Sequence, residues 1–284
     1  MDNKLINFHI YRYHLLPIDT KNKQIDLFEK DKKYTIQEIK EKKNEFFGKT
    51  LETLVNSKSN NHPLKMEHHE DDYFLFKLAQ SKTKTITQNF ENIIIDDEPY
   101  VHVIFNNDPS IQKIAISENS DAFSSPDVVK NILKKVFQND LEKYGLNIEL
   151  ETLFDEVQFW DYVNKHKDNI TYINFQFIKP NLANISKSLP QVFRNFADNT
   201  NSHESHITIK APEKGTLDNI DKSNDSVKGL VEYTSEGAGS IKLKVKGLKK
   251  QLKTKENPVM VQIKEVDIEG PADQVIKLYK TIVE

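Results

Sequence analysis

Two hydrophobic periods take turns along this chain of 284 residues, and the points where one yields to the other delimit its elements. Ile6, Phe8 and Ile10 alternate with Asn7, His9 and Tyr11 ahead of Leu15-Leu16-Pro17, which predicts an opening strand stopped by proline. Thr35 then precedes Ile36, Ile39, Lys43, Phe46, Phe47, Leu51, Leu54 and Val55, the spacing of an amphipathic helix behind a threonine cap. Ser57 to Pro63 reads as a loop. Period 2 returns at Tyr73–Leu78, Lys84–Phe90, Tyr100–Phe105 and Ile111–Ser117, with polar turns such as Asn106-Asn107-Asp108-Pro109 between them, and an antiparallel meander is expected.

Ser125-Pro126-Asp127 opens a second helix, which Gly145 stops. A strand over Asn147–Leu153 follows, then a helix over Asp155–His166 with Val157, Trp160 and Val163 on its core side. In Ile170–Ile178, Tyr172, Asn174 and Gln176 alternate with Ile173, Phe175 and Phe177. Past Lys179-Pro180-Asn181 the chain turns polar, with a short helix around Val192, Phe193 and Phe196 and a linker at Asn199–Ser202. That linker sets the expected division into an N-terminal domain, 1–198, and a C-terminal domain, 199–284. The second begins with a strand at His206–Lys210; Gly237 caps a helix over 226–235, or Leu230–Thr234 is the first arm of a hairpin. A strand at Val259–Val266 and a helix begun by Gly270-Pro271 complete it.

The sharpest pattern lies between Gly239 and Gly247. Period 2 sends Ile241, Leu243 and Val245 to one face of a strand and Lys242, Lys244 and Lys246 to the other. Ammonium groups about 6.7 Å apart on a rigid strand match a polyanion, and Lys249, Lys250, Lys253 and Lys255 extend the cluster. The expected contacts to nucleic acid are Lys242, Lys244, Lys246, Lys249 and Lys250. The plainer alternatives are a solvated face, or an edge strand blunted by lysine.

Composition narrows this. The formal net charge of −3 makes any nucleic-acid surface local, and Arg12 and Arg194 are the only arginines among 40 basic residues, so bidentate reading of guanine is nearly absent. No cysteine is present, which removes disulfides, thiolate metal sites and thiol catalysis. The chain shows neither a run of apolar residues long enough to span a bilayer nor a secretory pattern at Met1-Asp2-Asn3-Lys4; no membrane partner and a cytoplasmic location are expected.

Other clusters offer less. Gly237-Ala238-Gly239 lacks the third glycine and following helix of a dinucleotide site, and turn chemistry explains it. Glu67-His68-His69-Glu70-Asp71-Asp72 is dense in ligand types, but consecutive residues of an extended segment point apart. His203 and His206 sit where linker meets strand. Neither a metal nor a cofactor is expected. The enzyme alternative is a metal-dependent nuclease using Asp96, Asp97 and Glu98 with Lys264; a third reading makes the lysine ribbon a dock for an acidic protein.

Tyr73-Phe74-Leu75-Phe76-Lys77, Glu98-Pro99-Tyr100-Val101-His102-Val103, the helix ending near Gly145, Ile173-Asn174-Phe175-Gln176-Phe177 with Pro180-Asn181, and Leu230-Val231-Glu232-Tyr233-Thr234-Ser235-Glu236-Gly237 follow one another over roughly residues 70–284. In this order they resemble the family of anti-phage DNA-binding proteins that includes the lambda Rex exclusion A protein and the B component of the Kiwa system. The resemblance implies an α+β homodimer that binds DNA with little sequence preference and acts in phage exclusion, with a possible protein partner from the same defence operon. It implies no catalytic residue. The expected fold is α+β, with largely antiparallel sheets, flanking helices and a smaller C-terminal α+β domain.

Overall fold

The computed structural model describes residues 5–18, 25–26, 33–54, 62–179, 181–264, 268 and 272–283. The fold is α+β with antiparallel sheets, as the alternating segments require. The first half contains β1 (Leu5–Pro17), β2 (Ile25–Asp26), β3 (Lys33–Tyr34), α1 (Ile36–Leu54), β4 (Leu64–Glu70), β5 (Tyr73–Ala79), β6 (Lys82–Gln88), β7 (Glu91–Asp97), β8 (Tyr100–Asn106), β9 (Lys113–Ser117) and α2 (Pro126–Leu141). The second half contains β10 (Leu146–Thr152), α3 (Glu156–His166), β11 (Ile170–Ile178), α4 (Ala183–Ser186), α5 (Gln191–Thr200), β12 (Glu204–Lys210), α6 (Asp225–Tyr233), β13 (Gly239–Val245), β14 (Leu252–Lys253), β15 (Met260–Lys264) and α7 (Ala272–Val283). The expected loop at 57–61, Pro180 and Gly270-Pro271 lie outside the described residues.

The chain divides into two units, Met1–Ile10 with Pro17–Ile148 and Met260–Glu284, and Tyr11–Leu16 with Glu149–Val259. The expected break between 198 and 199 does not hold. β12, beyond that break, pairs with β11 before it along Tyr172–Ile178. The polar run taken for a linker is the end of α5, stopped by Asn201 in the left-handed conformation (φ 51°). The C-terminal strand and helix belong to the first unit.

The larger sheet has the order β10-β1-β9-β8-β5-β4, with β15 also on β1. α1 begins with a capping box: Thr35 N and Oγ1 donate to Glu38 Oε2 at 2.7 and 2.9 Å, and Glu38 N donates to Thr35 Oγ1 at 3.3 Å. Its buried Phe47 meets Phe105 of β8 and Phe137 of α2 edge-on, at 6.0 and 5.2 Å between ring centroids. Asn106, on the opposite face by the pleat, donates to the Val283 carbonyl of α7 at 3.2 Å, so both faces of β8 are covered.

The meander expected over 73–117 is interrupted. β5 pairs directly with β8, and β4, a strand the sequence pattern did not announce, flanks β5. The segment read as the strand Lys84–Phe90 forms with β7 a hairpin of its own, turning at Asn89 and Phe90, both at positive φ. Period 2 is the same whether a strand joins a large sheet or a ribbon, which is why the pattern did not reveal this.

In the second unit the sheet order is β12-β11-β13-β14, all antiparallel. Ile173, Phe175 and Phe177 of β11 with Ile241, Leu243 and Val245 of β13 face a core closed by Trp160 and Val163 of α3 and Val227, Leu230 and Val231 of α6. Trp160 is in the core as expected, but Val157 turns outward and Phe159 takes the inward place. The helical reading of α6 holds over the hairpin; the helix widens into one π turn, Thr234–Ala238, in which Gly237 has φ 78°.

Candidate nucleic-acid interface

The candidate surface is the solvent face of the four-stranded sheet. Its geometry starts at Gly239, where a Cβ would stand 2.0 Å from the Gln176 carbonyl oxygen; only glycine lets β13 enter this close to β11. The register then sets Lys242 opposite Asn174 and Lys244 opposite Tyr172. On the other side of β11, Lys210 lies opposite Tyr172 and Thr208 opposite Asn174. Residues in register share a face, so Lys210, Tyr172 and Lys244 form one row across the sheet, and Thr208, Asn174 and Lys242 form the next.

With strands about 4.8 Å apart and alternate residues about 6.7 Å apart, the lysines frame an open triangle around the Tyr172 ring. Lys244 Nζ lies 5.1 Å from the centroid of that ring. Asn174 Nδ2 donates to Thr208 Oγ1 at 2.7 Å. Tyr172, Thr208, Lys210, Lys242 and Lys244, together with Thr171, Ala211 and Gln251, line a shallow groove of about 830 Å³ that contains no carboxylate. None of Lys210, Lys242 and Lys244 is paired with an acid among the described residues, so their charge is available to a ligand.

The expected contacts divide. Lys242 and Lys244 line the groove. Lys246 lies just past the end of β13, in a turn held by its own N–H on the Asn169 carbonyl at 2.7 Å. Lys249 and Lys250 line a neighbouring hollow of about 450 Å³ with Tyr162 and Leu252. There Glu256 binds Lys250 at 3.5 Å and Lys253 at 2.9 Å, and the Lys253 hydrogen bond leads the effects that hold its carboxyl below the usual range. Lys255 is taken by the buried Glu151 at 2.9 Å. Lys210 was missed, because its place beside Tyr172 is a matter of register across β11; the alternation in His206–Lys210 was the available signal. Both arginines serve the interior: Arg12 donates to Glu236, and Arg194 to the Leu189 carbonyl at 3.0 Å.

Glu67 pairs with Lys65 at 2.8 Å, and His69 stacks on Phe74. His206 pairs with Glu204 at 2.6 Å. Asp96 and Asp97 end β7 opposite Thr83 and Lys82, and Lys264 lies on β15 opposite Leu5, which lines the same cleft as Asp97 and Glu98. Among the described residues no three His, Asp or Glu side chains converge at metal-ligand spacing.

A second cleft, of about 800 Å³, opens in the first unit among Asn7, His9, Tyr100, His102, Glu118 and Ser125. Glu118 accepts from Asn7 at 2.7 Å and from His9 at 2.6 Å. Asp97, Glu98 and Asp121 on its walls oppose a phosphate ligand. No described helix is long and apolar enough to cross a membrane. In comparisons with known proteins, the chain matches no family model and no curated protein.

Proposed function

We propose that the solvent face of the four-stranded sheet binds nucleic acid through its phosphates, with little sequence preference. The observation that carries this reading is the triangle of Lys210, Lys242 and Lys244 around Tyr172 in a groove without acids. Lysine supplies point charges to the backbone, and the tyrosine ring supplies a stacking surface that accepts any base. The inward engagement of both arginines leaves no fork for guanine edges. On the Rex-like resemblance, the setting we propose for this contact is phage exclusion.

Reversing Lys242 and Lys244 to glutamate should weaken binding to unrelated duplexes alike and lower the log–log salt slope by about two, since each lost phosphate contact removes close to one unit. Tyr172→Ala should act mainly on single strands, with a loss of roughly 1–3 kcal/mol per stacked base. Titrations of labelled oligonucleotides at two salt concentrations read both effects. Affinity and slope unchanged in the double reversal would overturn the proposal, and binding transferred to an acidic protein would favour the docking alternative.

A further inference from the structure

The free edge of β12 carries a pattern that a second copy of the same chain completes. Lys179 N donates to the His203 carbonyl and Ala211 N to the Thr171 carbonyl, so the odd-numbered residues of this strand turn their backbone groups towards β11. The N–H and C=O groups of Glu204, His206, Thr208 and Lys210 therefore point to the open edge. Among the described residues no backbone group bonds to them there. The core side of the strand is also incompletely covered: Ile207 and Ile209 are half-buried, while Ile173 and Phe175 next to them are fully enclosed. On α5, which leads into β12, Val192 and Phe196 stand 65% and 63% exposed one turn apart.

Long edge strands are usually blunted by proline, a bulge or an inward charge, and β12 has none of these. Its charges also suit its own image: Glu204, which within one copy accepts from His206 at 2.6 Å and Gln176 at 2.8 Å, keeps lone pairs for a lysine of the other. In antiparallel self-pairing the outward-pointing residues must meet one another, which restricts the two-fold axis to a few positions. With the axis at Ile207, Glu204 of one copy meets Lys210 of the other at both ends, and His206 meets Thr208 between them. An axis at Thr208 sets His206 against Lys210, and one at His206 sets that ring against itself and leaves Lys210 without an acid. Only the Ile207 register pairs every outward backbone group of the strand and both charges.

We propose that two copies of the chain associate through β12, antiparallel about a two-fold axis at Ile207, joining their four-stranded sheets edge to edge. Ile207 then packs on its symmetry mate and Ser205 on Ile209. In this pair Lys210 is engaged by Glu204 of the other copy, which leaves the phosphate contacts to Lys242 and Lys244; the inference does not depend on nucleic-acid binding, because mass reads it directly.

Light scattering on the full chain should give twice 33.0 kDa. Glu204→Lys and Lys210→Glu, made singly, should each weaken association on the order of tenfold, because both end pairs become like-charged. The two single variants mixed together should re-associate, and the double variant should dimerise by itself, as each combination restores opposite charges at both ends. His206→Pro, which deletes an outward N–H that bonds nothing within its own sheet, should yield a folded monomer. A wild-type monomer at about 100 µM, well above the micromolar affinities of weak specific pairs, would overturn the proposal. So would a dimer that both single reversals leave intact, or single variants that fail to re-associate on mixing.

Discussion

A methyl group at position 239 would press on the Gln176 carbonyl oxygen and the Phe177 Cα, which belong to a central strand and cannot move aside. Gly239→Ala should therefore cost more than about 2 kcal/mol in urea unfolding, a penalty in the range of overpacked cores. Burial pushes the Lys43 ammonium on α1 down to about 8 from 10.5. Between those values the folded chain has released a proton that the unfolded chain retains, so stability rises with pH across that window. Lys43→Met should raise the melting temperature at neutral pH, with the advantage shrinking as pH approaches 10.5. Asn44 donates to the Asn107 carbonyl at 2.9 Å and accepts from Gln112 at 2.9 Å, all three buried. Asn44→Ala should cost about 2 kcal/mol by leaving those partners unsatisfied. At this scale the sequence revealed what depends on near neighbours, such as the outward turn of Lys242 and Lys244. It could not reveal that Glu151 takes Lys255 or that Glu256 takes Lys250, since side chains brought together by folding follow no period.

The hairpin of β6 and β7 shows the same limit among elements. Thr83, Thr85 and Thr87 alternate with charged and apolar neighbours as a sheet strand would, and nothing local says whether the partner is β5 or β7. The choice follows from β5 and β8 closing on each other: Gln80 N donates to the Pro99 carbonyl at 3.0 Å, just beyond the pair Ala79 and Tyr100. The ribbon thus hangs from a finished sheet, with Phe90 fully exposed at its tip and Ile94 71% exposed. Replacing residues 82–97 by a short glycine-serine turn should leave the cooperative thermal transition within a few degrees of the parent, because the sheet loses no ladder bond. A collapse of that transition would mean that the hairpin supports the core. By contrast, β11 and β13 were legible because each covers one face of a single core and keeps strict alternation throughout.

At the scale of the whole molecule, the units interleave along the chain. The first is assembled from three stretches of sequence, and Asn7 on β1 accepts from Gln262 on β15 at 2.9 Å, across 255 positions. Turn-rich composition at 199–202 suggested a boundary, but a boundary depends on which strands pair, and β11 with β12 bridges that point. A chain cut after Val259 loses β15 and the α7 carbonyl that accepts from Asn106, so it should aggregate rather than yield an independent N-terminal domain; solubility on expression measures this. The pairing of β1 with β15 also bears on synthesis. A ribosome makes the opening strand first and releases one of its partners only after more than two hundred further residues, so the edge of Leu5–His9 that β15 occupies stays uncovered through most of translation. The nascent chain is thus exposed to mispairing for as long as it is being made, and elongation speed becomes a determinant of its yield.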